Sequence, residues 1–164
     1  HIKDYPDSMS YRYDNVITLR TFSKCYGLAG FRVGYGFAHH HLIDNLLKVK
    51  LPFEPSVPAQ EAALGAISDI GHLNETLKLN IIGMKYLIEH FDKLNISYIP
   101  SIANFVTINF NNQIQADRFV KLNLKNGIIL RGLKSFGLPN SVRISIGTIE
   151  ENKIFVKSLK KTIK

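Results

Sequence analysis

Cysteine is nearly absent from this chain, which has one among its 164 residues, at position 25. A single cysteine excludes an internal disulfide, so the fold must depend on a packed core. Tryptophan is absent, and no apolar run approaches the roughly 20 residues that span a bilayer. The polar opening HIKDYPDS does not have the pattern of a signal peptide. We therefore expect a cytoplasmic protein with no membrane partner.

Acidic residues are outnumbered, with 13 Asp and Glu against 21 Lys and Arg, which gives a formal net charge of +8. A basic balance of this size is compatible with binding to nucleic acid or to a membrane surface. The lysines are scattered, however, and the aromatic residues do not interleave with a basic stripe. We interpret the charge as a solvated basic face and expect no nucleic-acid partner. Hydrophobic residues make up 45% of the chain, which is ordinary for a globular domain.

Residues 18–36, TLRTFSKCYGLAGFRVGYG, are the most informative part of the chain. The short β-branched and apolar run at 16–20 predicts a buried strand. Lys24 would follow the carboxyl end of this strand, and ligands of open α/β sheets bind at such ends. Gly27 and Gly30 allow a tight reversal that turns Arg32 back toward the end of the strand.

Three polar side chains, Thr21, Ser23 and Arg32, would then converge on one point. Two hydroxyl groups and a guanidinium suit a phosphate dianion, because charge-assisted hydrogen bonds are strong and arginine can donate two of them. An amine beside this point, that of Lys24, could form a Schiff base with an aldehyde or ketone. The spacing alone leaves open that these are ordinary solvated loop residues.

Three segments resemble one protein family in the same order along the chain. Residues 20–36 are similar, nearly residue for residue, to the lysine segment of fold-type I pyridoxal-phosphate aminotransferases, and most of all to that of histidinol-phosphate aminotransferases. Residues 127–131, GIILR, and 142–152, VRISIGTIEEN, resemble the same family. The resemblance implies an α/β fold. Residues 1–70 would be the C-terminal part of the large cofactor-binding domain, and 71–164 a small C-terminal domain with a long linking helix.

The resemblance also implies roles for the residues at 21–32. Lys24 would hold pyridoxal 5'-phosphate as a Schiff base, and would then act as general base and acid at the substrate's α-carbon. Thr21, Ser23 and Arg32 match the family's ligands for the cofactor phosphate. We expect no metal, because adjacent histidines at 39–41 point in different directions and no cysteine or carboxylate cluster accompanies them.

Two arginines in the second half match substrate-binding positions of the family. Arg143 matches the arginine that receives the carboxylate of the amino donor. Arg131 lies at the end of the preceding predicted strand and is interpreted as a ligand for the substrate's anionic group. Its alternative interpretation is an exposed arginine at a strand end.

The leading hypothesis is an aminotransferase that moves an amino group between histidinol phosphate, or its keto form imidazole-acetol phosphate, and glutamate or 2-oxoglutarate. Family members that act on aromatic amino acids, and a threonine-phosphate decarboxylase, share these motifs and remain alternatives. A non-enzymatic alternative is the aminotransferase-like module of a transcription regulator. The family generally forms homodimers, so we expect a homodimer of the intact protein.

Some expected cofactor ligands have no match in the chain. The family's Asp-x-Ala-Tyr segment, which contacts the cofactor ring, lies upstream of the lysine segment, and no such segment precedes Lys24 here. The chain therefore resembles the second half of an aminotransferase. We expect the isolated 164-residue chain to be inactive, because pyridoxal catalysis needs the partner of the ring nitrogen.

Periodicity and end signals predict the remaining elements. Gly127 has the position of a helix C-cap, and Thr148 with Glu151 has the pattern of a capping box. Apolar residues at helical or alternating spacing define the segments. They predict helices at 39–50, 59–70, 73–94, 113–125 and from 148 to about 163, and strands at 105–110, 128–131 and 142–146.

Overall fold

The computed structural model describes residues 4–11 and 13–163, and these divide into two compact units, 1–77 and 78–164. The terminal residues of both predicted domains, 1–3 and 164, lie outside the described residues. The assignment of 1–70 and 71–164 to a large and a small domain stays a prediction. Among the described residues, no helix combines the length and the apolar character needed to cross a membrane.

The first unit contains one antiparallel strand pair and two complete helices. Strands β1 and β2 pair from Thr18 opposite Phe37 to Thr21 opposite Gly34. Helix α2 begins after Ser56, whose hydroxyl accepts a hydrogen bond from the Ala59 amide at 3.4 Å, as an N-cap does. The bounds are β1 Thr18–Thr21, β2 Gly34–Phe37, α1 His40–Val49 and α2 Val57–Ser68, with short 3-10 turns at Ser8–Ser10 and Ala29–Phe31.

The prediction that 16–20 forms a buried strand is wrong for most of its length. Within β1 Thr18 is buried, whereas Leu19 is 72% exposed. The cross-strand partner of Leu19 is Gly36, which has no side chain to cover it. The small core of this unit lies instead behind the loop between the strands, where Phe22 and Val33 pack with Ala59 and Ala63 of α2.

Helix α3, Ile70–Lys93, contains the division between the two units. The second unit has a four-stranded antiparallel sheet in the order β3-β4-β6-β5. Its core joins one face of this sheet to residues of α3 and of the two helices that follow. The bounds are β3 Tyr98–Ile99, β4 Phe105–Asn109, α4 Gln113–Lys125, β5 Arg131–Gly132, β6 Ser141–Ser145 and α5 Ile149–Thr162.

The predicted helix at 113–125 and the capping box of the last helix are confirmed. Thr148 accepts a hydrogen bond from the Glu151 amide, and the Glu151 side chain accepts one from the Thr148 amide. The strand prediction at 128–131 is wrong for 128–130, because pairing begins at Arg131. The end of α4 explains this difference. Gly127 has φ +78°, and the Ile128 amide donates to the Asn123 carbonyl at 2.9 Å, so the backbone here closes the helix.

Candidate functional site

A buried phenylalanine anchors the loop that carries Lys24. Phe22 follows β1 directly and is 3% exposed in the core of the first unit. Its amide donates to the Val33 carbonyl at 3.3 Å, and its carbonyl accepts from the Leu28 amide at 3.0 Å. These two bonds connect Val33 and Leu28 to Phe22 at the start of the loop. Lys24 lies three residues beyond the end of β1, as the sequence predicts.

Aromatic rings support the inner side of this loop. The Phe22 ring lies 5.0 Å from that of Tyr26 and 5.5 Å from that of Tyr35, between centroids. Partial burial raises the pKa of the Tyr26 phenol, with smaller contributions from the neighbouring Cys25 and Tyr35 side chains. The partly buried Tyr26 ring packs against the small core around Phe22.

Two hydroxyl groups lie together at the end of β1. Thr21 Oγ1 donates to Ser23 Oγ at 2.9 Å and accepts from the Ser23 amide at 3.1 Å. The turn formed by these two residues holds both oxygens at one place. The predicted pair of hydroxyl donors is thus present as a local structure.

Arg32 has a backbone conformation that non-glycine residues seldom adopt. Its φ is 55° and its ψ is 44°, in the left-handed region, at the end of the 3-10 turn Ala29–Phe31. Such strain is concentrated at functional sites, where the surrounding structure imposes it. The Arg32 guanidinium donates from Nη1 to the Ala29 carbonyl at 3.0 Å. This bond folds the side chain back over its own turn.

Thr21, Ser23 and Arg32 line one open depression of about 560 Å³ in the first unit. Lys24 is exposed and is not among its lining residues. Sequence reasoning missed Arg20, which precedes Thr21 on β1 and also lines the depression, although its Nη2 lies 3.9 Å from Asp7 Oδ1 and donates to Ser8 Oγ at 3.4 Å. The lining contains no carboxylate and consists of Leu19, Arg20, Thr21, Ser23, Arg32, Val33, Gly34, Tyr35 and Gly36. The Arg32 side chain and the hydroxyl groups of Thr21 and Ser23 favour an anion in this depression.

The predicted substrate arginines lie side by side in the second unit. Arg131 on β5 is directly opposite Arg143 on β6, so their side chains share one face of the sheet. That face is the one opposite the core, because the alternate residues Val142 and Ile144 belong to the core. Among the described residues, neither guanidinium forms an ion pair with a carboxylate.

Each of these guanidinium groups lies over an aromatic ring. The Arg143 guanidinium carbon is 5.3 Å from the centroid of Phe105, and that of Arg131 is 5.6 Å from the centroid of Phe136. Arg143 Nε is buried and has no hydrogen-bond partner within the part of the chain that the structure describes. Sequence reasoning missed both phenylalanines, because the pattern of a strand does not show which ring a residue meets across the sheet.

The predicted site residues thus form two sets, one within each unit. Thr21, Ser23, Lys24 and Arg32 belong to the first, and the two arginines to the second. The histidines at 39–41 form a separate cluster in which His39 Nδ1 lies 2.6 Å from His41 Nδ1. Within the described ranges, no group of three or more His, Cys, Asp or Glu side chains is placed to hold a metal ion.

The comparisons with known proteins identify the family. The family model "Aminotransferase class I and II" matches residues 8–159. Histidinol-phosphate aminotransferase 1 of Nitrosococcus oceani is 41% identical over 157 residues, which are 94% of this chain and 42% of that protein. Histidinol-phosphate aminotransferase of Campylobacter jejuni is 43% identical over 159 residues, which are 97% of this chain and 43% of that protein.

Solved structures agree with the sequence relatives. Histidinol-phosphate aminotransferase of Sinorhizobium meliloti in complex with pyridoxal-5'-phosphate matches with a TM-score of 0.83 at 28% identity, over 92% of this chain and 41% of that one. The chain belongs to the class I and II aminotransferases and has the fold of their fold-type I members. It spans about two fifths of the length of the curated relatives that it matches.

Proposed function

We propose that the intact protein containing this sequence is a pyridoxal-phosphate-dependent aminotransferase that transfers an amino group between histidinol phosphate and 2-oxoglutarate. The family and the names of relatives about 40% identical support this activity. Because the chain spans about two fifths of those relatives, the activity is proposed for the whole protein rather than for these 164 residues alone. The isolated chain is expected to be inactive.

The observation that carries the proposal is a set of hydrogen-bond donors around the end of β1. The hydroxyl pair of Thr21 and Ser23 and the guanidinium of Arg32 line one depression without a carboxylate, and they fit a phosphate monoester. The strained backbone of Arg32 supports a functional role for that residue. The S. meliloti relative of known structure is a complex with pyridoxal-5'-phosphate, which supports this cofactor.

Lys24 is proposed as the catalytic lysine. Pyridoxal phosphate, when bound, supplies an electron sink for the bonds at the substrate's α-carbon. The Lys24 amine would hold the cofactor, and it would move a proton at the substrate's α-carbon. Lys24 is exposed and directly follows Ser23, which lines the depression.

Arg131 and Arg143 are proposed as the substrate's anion ligands. Histidinol phosphate has a phosphate group and no carboxylate, whereas glutamate has two carboxylates, so one site must accept different anions. Planar guanidinium groups bind both kinds in a bidentate manner. Two guanidinium groups opposite each other on one sheet face repel, and a bound anion would relieve this repulsion.

We also propose that the intact protein is a cytoplasmic homodimer, as is typical of the family. Light scattering coupled to size-exclusion chromatography measures the assembly directly, and a monomeric mass would contradict it.

Assays of the intact protein with three amino compounds test the substrate. With 2-oxoglutarate present, histidinol phosphate should give the highest kcat/KM for glutamate formation, and phenylalanine a much lower one. Threonine phosphate should release no carbon dioxide. Faster turnover of phenylalanine would favour an aromatic aminotransferase, and release of carbon dioxide from threonine phosphate would favour the decarboxylase. Absence of turnover with all three, in a protein that is folded, would contradict the proposed enzyme.

A further inference from the structure

We propose that Phe105 and Phe136 are positioning residues that hold the guanidinium groups of Arg143 and Arg131 for the anionic end of the substrate. This inference rests on the proposed function, which makes these arginines the substrate's ligands. It goes beyond that function by assigning roles to two side chains that no motif singles out. Two observations carry it, the register of the sheet and the contacts of each guanidinium.

The register of the sheet creates an unfavourable charge pair. Residues directly opposite on antiparallel strands have Cβ atoms about 4.5–5.5 Å apart, and like charges at such positions destabilise a sheet. Arg131 and Arg143 occupy such positions. Among the described residues they have no carboxylate partner, and the next residue across the sheet from Arg143 is the buried, neutral Thr107. Something other than an ion pair must hold the two cations in place.

Phe105 supplies that contact for Arg143. It lies on β4 two residues before Thr107, so its side chain is on the same sheet face as Arg143 and diagonal to it. Its ring centroid is 5.3 Å from the guanidinium carbon, within the distance at which a ring attracts a cation. The ring is half-buried, which strengthens the attraction by removing water.

The burial of Arg143 Nε specifies how an anion can approach. Nε is inaccessible and has no partner within the described chain, so a ligand cannot reach it. An incoming phosphate or carboxylate must therefore bind the two terminal nitrogens, Nη1 and Nη2. A ring that holds the plane of the guanidinium fixes the direction in which these two donors point.

Phe136 has the same relation to Arg131. It closes the 3-10 turn Lys134–Phe136 just after β5, and Gly137 with φ +78° reverses the chain behind it. Its ring centroid is 5.6 Å from the Arg131 guanidinium carbon. Phe136 is 63% exposed, so its attraction for the cation is more strongly screened by water than that of Phe105. We expect the smaller effect at this position.

Substitutions in the intact protein test these roles. Phe105→Leu keeps an apolar side chain and removes the ring, and it should raise KM for histidinol phosphate and for 2-oxoglutarate about three- to tenfold. Phe136→Leu should raise both KM values by a smaller factor. The kcat should stay within about twofold, because both rings are assigned to binding of the substrate's anion rather than to the chemical step. Phe105→Tyr retains a ring and should keep KM near the value of the unsubstituted protein.

Phe110→Leu is the matched control, because Phe110 lies just beyond β4 and its ring packs against Phe119 at 5.1 Å rather than over an arginine. It should alter the melting temperature and leave KM unchanged. Titration with inorganic phosphate, followed by calorimetry, gives a second measurement that does not need turnover. The dissociation constant should rise in Phe105→Leu and not in Phe110→Leu.

The outcomes separate this inference from the proposed function. An active protein whose KM and phosphate affinity are the same in Phe105→Leu as in the unsubstituted protein overturns the inference alone. An equal effect of Phe105→Leu and Phe110→Leu on KM also overturns it, because a general loss of packing would then be the cause. If the folded protein does not transaminate but its Phe105→Leu variant binds phosphate more weakly, the proposed function is contradicted and the positioning role is supported.

Discussion

Arg32 is the residue whose local geometry says most about the site. Glycine adopts the left-handed backbone region at a lower energetic cost than arginine does. Arg32 nevertheless has φ 55°. Its guanidinium is held over its own turn by the Ala29 carbonyl at 3.0 Å. The side chain rather than the backbone is therefore the reason for an arginine at this position.

Arg32→Ala should weaken cofactor binding. Loss of charge-assisted hydrogen bonds to a phosphate costs about 1.5–3 kcal/mol, or roughly a 10- to 150-fold higher dissociation constant. Absorbance titration of the apoprotein with pyridoxal phosphate measures this constant. Arg118→Ala, at an exposed site on α4, removes the same charge and serves as the control. An equal loss of affinity in both variants would show that only net charge matters.

For single residues, the sequence predicted candidate site residues, but not the side chains that lie next to them in the structure. The hydroxyl pair of Thr21 and Ser23 is local, two residues apart, and therefore readable from spacing. Arg20 was missed because the predicted convergence of Thr21, Ser23 and Arg32 did not show that the depression also extends along β1 and β2. Phe105 was missed for a similar reason. Which ring lies under Arg143 depends on the register of β4 against β6, and no motif near either residue records it.

Helices were easier to predict than strands. The α4 bounds and the capping box at Thr148 follow from signals within a few residues. Strand β3, only Tyr98–Ile99, was missed, because two residues give no alternation to detect. The strand predicted at 128–131 begins only at Arg131, because the Ile128 amide closes the end of α4. A helix forms its backbone hydrogen bonds among its own residues, whereas a strand forms them with a neighbouring strand.

Gly83 in α3 marks a close approach within the second unit. A Cβ at this position would lie 2.5 Å from Ile146 Cγ2 and 2.7 Å from Asn152 Nδ2. Asn152 is 2% exposed and bonds both to the Gly147 amide and to its carbonyl, so it cannot move away easily. The glycine thus lets α3 pack directly against the segment that leads into α5.

Gly83→Ala should lower the free energy of unfolding by about 1–3 kcal/mol, because it overpacks this contact. Gly65→Ala is the matched control, because Gly65 lies inside α2. Apart from the helix's own backbone and the chain neighbours, a methyl group there would have no heavy atom of the described residues within 4 Å. It should stabilise by about 0.5–1 kcal/mol through helix propensity. Urea unfolding followed by circular dichroism measures both. A neutral Gly83→Ala would contradict the close approach.

At the scale of the whole molecule, the two units differ in how much core they bury. The second has a continuous core that includes Leu87, Phe91 and Phe119, whereas the core of the first centres on Phe22, Val33, Ala59 and Ala63. A small core gives little stability on its own. For this reason the experiments on cofactor and substrate use the intact protein rather than the isolated chain.

The family and the fold class were predicted from three short segments, and both are confirmed by the match over residues 8–159 and by the solved structures. Composition contributed little, because a basic net charge of +8 fits several classes of protein. Segments 20–36, 127–131 and 142–152 carried the information. These segments contain the predicted cofactor and substrate residues, among them Lys24, Arg131 and Arg143.

Covalent attachment of the cofactor at Lys24 tests the central claim most directly. The intact protein is loaded with pyridoxal phosphate, reduced with borohydride and digested, and the modified peptide is identified by mass spectrometry. Lys48→Ala, which removes an exposed lysine of α1, is the control for nonspecific labelling. We expect the adduct on the peptide containing Lys24 in the unsubstituted protein and in Lys48→Ala, and its loss in Lys24→Ala. A stoichiometric adduct on another lysine, or one that persists in Lys24→Ala, would contradict the account.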